Sequence, residues 1–189
     1  MAVQLAPCFL LASPSLRSPD FKQTVVLLVE HSSEGSLGFI VNRRAAIGFR
    51  RVLGQVGIEV GEDDPVEMSV LAGGPVQPGS GWLLFEQRAS EEPPEESVVI
   101  GHSLAISASL KLLEALAQGR GPTRGVMLLG YAGWGPGQLE EEIRAGAWLH
   151  TSLNGALVFD TALEDRWHRA YSALGIEPGQ ALFHVVPQA

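Results

Sequence analysis

The sequence has little cysteine, little positive charge and no long apolar run. Cys8 is the single cysteine among 189 residues, so no internal disulfide can form. Cys8 and the five histidines show no spacing typical of a zinc site, and we expect neither a metal nor a cofactor. No apolar run approaches the ~18 residues that a membrane-spanning helix needs, so we expect no membrane association.

Basic residues are also scarce, because 13 Lys and Arg stand against 21 Asp and Glu and the formal net charge is −8. Binding to DNA or RNA would therefore need a strongly localised basic face. Arg43, Arg44, Arg50 and Arg51 are a cluster of that kind, but residues 59–67, which follow closely, are rich in acids. We interpret these arginines as a solvated face that caps carbonyls or pairs with acids, and direct nucleic-acid binding is disfavoured.

The apolar segment of residues 5–12 contains Cys8. No Lys or Arg precedes the segment, and it is too short for the core of a signal peptide. Pro7 directly before Cys8 is also a poor context for lipidation. We therefore expect a first β-strand with a buried thiol and a reducing, cytoplasmic location.

The composition is that of a folded domain. Hydrophobic residues make up 46% of the chain and charged residues 18%, which predicts a well-buried core. At about 150 residues per domain the length favours one domain over residues 1–189. Strands are predicted at residues 24–30, 37–41, 68–72, 82–85, 98–106, 126–129 and 148–152, and helices at residues 47–56, 110–117, 139–144 and 162–174. The turn-rich residues 73–81 are predicted to be a loop.

Ser103 is a candidate nucleophile. The apolar residues 98–100 run into Gly101-His102-Ser103-Leu104-Ala105, which resembles the nucleophile elbow of α/β hydrolases. Asp160 and His184 follow in the order that such a triad requires. However, Ala105 stands where the elbow needs glycine, and the period-two pattern places Ser103 in the middle of a strand. A small serine esterase therefore stays the alternative to a binding protein.

Carboxylates and tryptophans near the second half of the chain have two interpretations each. Glu140, Glu142 and Asp160 could serve as paired acids or as ligands for a hard cation. Alternatively, the glutamates are the acidic first turn of a helix. Trp134 and Trp148 either line a groove or fill the core with their indole N–H groups bonded.

The Gly73-Gly74-Pro75 segment could cradle an anion with its backbone N–H groups. No Lys, Ser or Thr follows it as a phosphate loop requires. A tight turn alone would also explain the glycines.

Several blocks in one order resemble the YqgE/AlgH family of bacterial proteins. The blocks cover nearly the whole chain: Phe9-Leu10-Leu11-Ala12-Ser13-Pro14, Asp20-Phe21, Thr24-Val25-Val26, Glu30-His31, Gly35-Ser36-Leu37-Gly38, Asn42-Arg43, Gly73-Gly74-Pro75-Val76, Gly130-Tyr131-Ala132-Gly133-Trp134, Gly137-Gln138-Leu139-Glu140, Glu142-Ile143 and Trp148. Two positions depart from the family pattern. Arg44 stands where proline is usual, and Phe85 stands where a histidine is common, which removes a candidate general base.

The resemblance implies an α/β fold with a mixed, bifurcated and partly barrel-like sheet surrounded by helices. It also implies a loose association with transcriptional regulation, and it carries no known catalytic residue. We therefore expect a protein that binds an unidentified protein or small ligand and has an indirect regulatory role in gene expression, rather than an enzyme. Polar groups beside glycine-rich turns and aromatic residues are typical of a recognition groove. The candidate binding residues are Asn42, Arg43, Gly73, Gly74, Trp134, Gln138 and Glu142.

Overall fold

A computed structural model describes residues 5–61 and 67–179 of the chain. The described residues form nine strands and five helices. The strands are β1 (Cys8–Ala12), β2 (Val25–Ser32), β3 (Gly35–Ile40), β4 (Ser69–Ala72), β5 (Val76–Glu86), β6 (Ser97–Ile100), β7 (Leu104–Ser107), β8 (Gly125–Trp134) and β9 (Trp148–Thr151). The helices are α1 (Phe49–Gln55), α2 (Leu110–Ala117), α3 (Gln138–Arg144), α4 (Gly155–Phe159) and α5 (Arg166–Ala173).

The chain divides into two compact units. Unit 1 combines residues 5–43 with residues 132–179, and unit 2 is the described part of Arg44–Tyr131. Strand β8 contributes to both units, since its first seven residues belong to unit 2 and Ala132–Trp134 to unit 1. The expectation of one domain over residues 1–189 stays a prediction.

The sheet of unit 1 is antiparallel, with the strand order β8-β3-β2-β1-β9. All five residues of β1 are buried, as are the first four of β2, because these apolar runs are covered on both faces. Helix α5 is fixed to the end of β1, where the Trp167 indole and the Tyr171 hydroxyl both donate to the Ala12 carbonyl oxygen.

This sheet is curled. Trp134 on β8 and Trp148 on β9 lie on the two outermost strands, which are four strand spacings apart, or about 19 Å in a flat sheet. Their ring centroids are nevertheless only 5.8 Å apart. The twist of the strands therefore brings the two edges of the sheet together, as in a partly closed barrel.

The sheet of unit 2 is mixed, with the strand order β6-β7-β5-β8-β4. Strand β4 runs parallel to β8, and the other pairs are antiparallel. Helices α1 and α2 contribute Val52, Leu53 and Leu113 to a core that also contains Val70 of β4 and Met127 of β8. Because β8 pairs with β3, β4 and β5, the sheet forks at this strand. The predicted mixed α/β fold with a bifurcated sheet is confirmed.

Two predicted segments were wrong. The single strand expected over residues 98–106 is the hairpin of β6 and β7, which turns at residues 101–103 with Gly101 at φ 63°. The alternation of apolar residues continues across the turn, so periodicity alone cannot detect it. The predicted loop over residues 73–81 is partly strand, because β5 begins at Val76 and its pairing with β8 is interrupted only between Val76 and Gly81.

The predicted helix over residues 162–174 is shorter than expected. Helix α5 begins at Arg166, and the sequence interpretation missed the short helix α4 before it. The Asn154 side chain caps α4 by accepting from the Ala156 N–H at 3.0 Å. The Thr161 hydroxyl donates to the Ala156 carbonyl, so Thr161 lies against the end of α4.

Within residues 5–61 and 67–179, no helix has the length and apolar character that crossing a membrane requires.

Candidate functional site

Glu142 on α3 connects the two edges of the unit 1 sheet. Its Oε2 atom accepts hydrogen bonds from the indole N–H groups of Trp134 at 2.9 Å and Trp148 at 2.7 Å. Its Oε1 atom accepts from the side-chain amide of Gln138 at 2.9 Å. Gln138 in turn accepts from the Gly135 N–H at 3.0 Å. One carboxylate thereby joins α3 to the last residue of β8 and the first residue of β9.

We call the contact that Trp134, Trp148, Gln138 and Glu142 form between the two edges of the unit 1 sheet the seam. Its two tryptophans are part of the core. Trp134 is 5% exposed and Trp148 is 2% exposed, and their rings meet edge to face at 81°. Phe21 packs on both rings, with centroid distances of 6.1 and 5.6 Å. Aromatic pairs favour this tilted geometry because the positive ring edge faces the negative ring face. Both indole N–H groups are bonded, and the bond acceptor is a carboxylate rather than a backbone carbonyl.

A second contact joins α3 to the β2–β3 hairpin. His31 of β2 and Ser36 of β3 are cross-strand partners, and their side chains share a hydrogen bond of 2.8 Å between Nδ1 and Oγ. His31 Nε2 lies 3.7 Å from Glu140 Oε1, and this contact is an ion pair when the imidazole is protonated. Glu140 and Glu142 therefore have different partners and do not form a pair of carboxylates.

Asn42 and Arg43 fasten the segment before β2. Asn42 Oδ1 accepts from the Val25 N–H at 2.8 Å, and its Nδ2 donates to the Gln23 carbonyl at 2.9 Å. The Arg43 guanidinium donates to the Lys22 carbonyl at 3.1 Å. Both predicted residues thus have bonds within unit 1, and the predicted role of an arginine as a carbonyl cap is confirmed at Arg43.

Gly73 and Gly74 belong to unit 2, where backbones approach closely. The Gly73 N–H donates to the Leu129 carbonyl at 2.7 Å, and a Cβ atom on Gly73 would lie 2.5 Å from the Gly130 oxygen. A Cβ atom on Gly130 would lie 2.5 Å from the Gly74 oxygen, and Gly130 has φ 71°. Gly73 and Gly130 are therefore required by the contact between the β4–β5 connection and β8, to which Gly74 contributes its carbonyl oxygen.

Gly74 also lines a cavity of about 520 Å³ in unit 2. The Ala45 N–H donates to the Val70 carbonyl, which fixes residues 44–47 beside β4. Leu129 of β8 and Pro78 of β5 complete one wall, and α1 contributes Arg51. The cavity thus assembles segments that are distant in the sequence, and it includes one of the predicted binding residues.

A cavity of about 530 Å³ lies in unit 1, beside β9, α4 and α5. Phe9 and Leu157 supply apolar lining, and Asp160 and Arg169 supply charges of opposite sign. Two of its polar side chains have partners within α4, since Asn154 caps this helix and the Thr161 hydroxyl donates to the Ala156 carbonyl. No group of three or more His, Cys, Asp or Glu side chains that could hold a metal ion occurs in the part of the chain that the structure describes.

Ser103 lies in the turn between β6 and β7. A nucleophile elbow needs a turn from a strand into a helix, and this turn leads into the strand β7. The expectation that Ser103 lies within a strand was also wrong. Asp160 belongs to unit 1, and His184 lies outside the described residues. The elbow geometry is therefore not present at Ser103, and the grouping of Ser103 with Asp160 and His184 stays a prediction.

Cys8 is buried in the core of unit 1, as the sequence predicts for a thiol in the first strand. Burial disfavours the thiolate and raises the pKa of Cys8 to about 12. The thiol is thus protonated at neutral pH.

Comparison with known proteins identifies the family. A family model described as AlgH-like matches residues 9–179. The chain belongs to the AlgH-like family. A UPF0301 protein of Anaeromyxobacter dehalogenans strain 2CP-C is 45% identical over 183 residues, which cover 92% of this chain and 90% of the relative. A UPF0301 protein of Paracoccus denitrificans is 40% identical over 170 residues, with 89% of each chain covered.

Two solved structures share the AlgH-like fold. The solution structure of the AlgH protein from Pseudomonas aeruginosa superposes with a TM-score of 0.78 at 34% identity, covering 100% of this chain and 98% of that one. A crystal structure of a Corynebacterium diphtheriae protein gives a TM-score of 0.72 at 21% identity, covering 88% and 85% of the two chains. The family resemblance predicted from the sequence motifs is confirmed.

Of the predicted binding residues, the structure brings Trp134, Gln138 and Glu142 into one hydrogen-bonded cluster and places Gly73 and Gly74 in the other unit. Sequence reasoning missed the contact of His31 with Ser36 and Glu140. The signal for the first of these contacts is the two-residue turn at residues 33–34, which puts His31 and Ser36 opposite each other in a hairpin. The role of the predicted set in binding stays a prediction.

Proposed function

We propose that this AlgH-like protein is a binding protein whose ligand occupies the unit 2 cavity lined by Gly74. The observation that carries the proposal is the cavity itself, since about 520 Å³ falls within the range of small-molecule sites. Its lining combines apolar side chains such as Leu129 with polar groups such as Gln55. That mixture provides both buried contact area and orientation for a ligand.

The proposed effect on gene expression is indirect. A net charge of −8 opposes binding to a polyanion, so a bound ligand or protein partner is the better link to regulation. A cytoplasmic location is part of the proposal, because a chain with a single buried cysteine has no disulfide to protect.

A cavity-blocking variant tests the proposal. Ala46 is exposed and lines the cavity, so Ala46→Trp fills the cavity without disturbing the core. Ala89 is an equally exposed alanine of unit 2 in a different loop, and Ala89→Trp is the matched control. Each protein is purified from its native cell under mild conditions, and its mass is measured by native mass spectrometry before and after denaturation.

We expect a small molecule to be retained by the wild type and by Ala89→Trp and to be lost from Ala46→Trp. Equal occupancy in all three proteins would contradict the proposed site. A salt-dependent gel shift with duplex DNA that disappears when Arg44 and Arg51 are neutralised would contradict the indirect role.

A further inference from the structure

The four clustered arginines separate into two pairs with different surroundings. The Arg43 side chain donates to the Lys22 carbonyl, and the Arg50 guanidinium donates to the Gly61 carbonyl at 2.8 Å. In contrast, the guanidinium groups of Arg44 and Arg51 form no hydrogen bond and no ion pair within the described part of the chain. Both of these arginines line the unit 2 cavity.

The charged side chains among the described residues that line the cavity are of one sign. Among the described residues that line the cavity, none is acidic, although Asp and Glu outnumber Lys and Arg in the chain by 21 to 13. A carboxylate, Glu67, lines the adjoining cavity of about 460 Å³. Two cations that face one cavity repel each other where no described residue supplies a counterion, and an anion between them lowers the electrostatic energy of both.

The remaining lining indicates what else the ligand carries. Ile47, Ala72 and Leu129 present apolar surface in the same cavity, and Gln55 presents an amide that can donate to an oxygen. Guanidinium groups favour carboxylates and phosphates because their forked donors match two oxygens at once. An apolar body beside these groups would gain from leaving water.

We infer that the unit 2 cavity binds a small amphiphilic anion, in which a carboxylate or phosphate group contacts Arg44 and Arg51 and an apolar group contacts Ile47 and Leu129. Because the anion occupies the cavity of the proposed function, the inference rests on that function. It goes further by assigning the ligand its charge and its two ends. Gly74, for which an anion cradle was one of two interpretations of the sequence, lines this cavity together with arginines that lie more than 20 positions earlier in the chain.

The test uses three probes that carry the same hexyl chain: heptanoate, hexyl phosphate and hexan-1-ol. Each probe is titrated into the full chain labelled with ¹⁵N, and amide shifts report the site and the affinity. We expect both anions to shift the amides of residues 45–47 and Gly74, and hexan-1-ol to bind at least about ten-fold more weakly. The two anionic arms distinguish a carboxylate ligand from a phosphate ligand.

Charge-matched variants locate the anion. Arg44→Gln and Arg51→Gln should each weaken anion binding about ten-fold, whereas Arg17→Gln, which removes an exposed arginine of unit 1, should leave it unchanged. Arg51→Lys should retain part of the affinity, since it keeps the charge and loses the fork. The folding control is the amide spectrum of each variant without probe. This spectrum should match that of the wild type away from the substituted residue.

Equal binding of the alcohol and the anions would overturn the inference while leaving the proposed ligand-binding function intact. Anion binding that is insensitive to both glutamine variants, or that is equally reduced by Arg17→Gln, would also overturn it. A ligand that Ala46→Trp fails to exclude would contradict the proposed function itself, so failure of the site and failure of the ligand class have different signatures.

Discussion

Replacing Glu142 with alanine removes the group that joins the edges of the unit 1 sheet. In the native protein the carboxylate accepts from the buried indoles of Trp134 and Trp148 and from the amide of Gln138. Alanine leaves both indole N–H groups without this acceptor in a seam that is nearly closed to water. We therefore expect the variant to fold with lower stability and with a loosened contact between β8, β9 and α3.

The expected magnitude follows from the two buried donors. A buried donor that loses its acceptor costs roughly 1–3 kcal/mol. The two indoles are neighbours, so one water molecule that enters the gap could serve both, and the two costs need not add fully. Gln138 is exposed, and its bond adds little. We expect Glu142→Ala to lower the free energy of unfolding by about 3 kcal/mol, and Glu142→Gln by about 1 kcal/mol because the amide oxygen still accepts.

Urea unfolding, followed by far-ultraviolet circular dichroism and by tryptophan fluorescence, measures the change. Two probes are needed because the chain forms two compact units, and only coincident transitions justify a single free energy. For a chain of this size, about 3 kcal/mol moves the midpoint by about 1–1.5 M urea. Glu141→Ala is the matched control, since Glu141 is the exposed neighbour on the same helix and should change stability by about 0.5 kcal/mol or less.

A double-mutant cycle shows whether the loss comes from the indole bonds. Trp148→Phe removes one donor and keeps an aromatic ring in the seam, so the loss from Glu142→Ala should be about 1 kcal/mol smaller in that background. If Glu142→Ala destabilises no more than Glu141→Ala, or if the cycle gives no coupling, the carboxylate does not hold the seam and the reasoning is refuted.

Two further predictions concern the backbone and the buried thiol. Gly130→Ala should lower the free energy of unfolding by more than about 2 kcal/mol, because Gly130 has φ 71° and an added Cβ atom would lie 2.5 Å from the Gly74 oxygen. Gly54→Ala is the control: Gly54 lies inside α1 with open space around it, so this substitution should raise the free energy of unfolding by about 0.5–1 kcal/mol. Thermal unfolding measures both, and equal effects would contradict the assignment of Gly130 to a close backbone contact. Cys8, whose pKa burial raises to about 12, should resist iodoacetamide at pH 8 in the native protein and react in urea. Rapid labelling of the native protein would contradict the burial of Cys8. Since the thiol of the unfolded chain ionises at a lower pH than that of the native protein, the Cys8 contribution to stability should be present below pH 9 and be lost as the pH rises toward 12.

Local sequence signals were sufficient where one element follows one pattern. The helix predicted over residues 110–117 has those limits in the structure, because its apolar residues repeat at helical spacing and Gly119 follows its end. In contrast, the turn at Gly101 was missed because the apolar residues keep the same spacing in the sequence on both sides of it. In the structure β6 exposes Val98 and Val99, whereas all four residues of β7 are buried. The spacing of apolar residues therefore does not report where the chain reverses.

The site depends on contacts that no local pattern contains. Trp134 and Trp148 were predicted either as groove residues or as core residues. Their burial was settled by the curl of the unit 1 sheet, which brings their ring centroids, on strands at opposite edges, within 5.8 Å. Glu142 then has a position that amphipathicity cannot predict. From the sequence, a carboxylate in the first half of a helix is expected only to stabilise the helix through the partial positive charge at its N-terminus. The hydrogen bonds of Glu142 to two indoles follow from the strand order, which brings the two tryptophans together.

The same limit applies to the arginines. In the sequence Arg43, Arg44, Arg50 and Arg51 are equivalent members of one basic cluster, and pairing with nearby acids was a sufficient interpretation. The structure separates them because residues 44–47 lie along β4 while α1 turns Arg51 toward the same cavity. Parallel pairing of β4 with β8 adds Leu129 opposite them. Two positive charges and an apolar wall thus meet through the parallel pairing of β4 with β8. This pairing is a long-range contact whose register is fixed by the whole fold. The chemical character of the cavity could therefore be recognised only once that register was known.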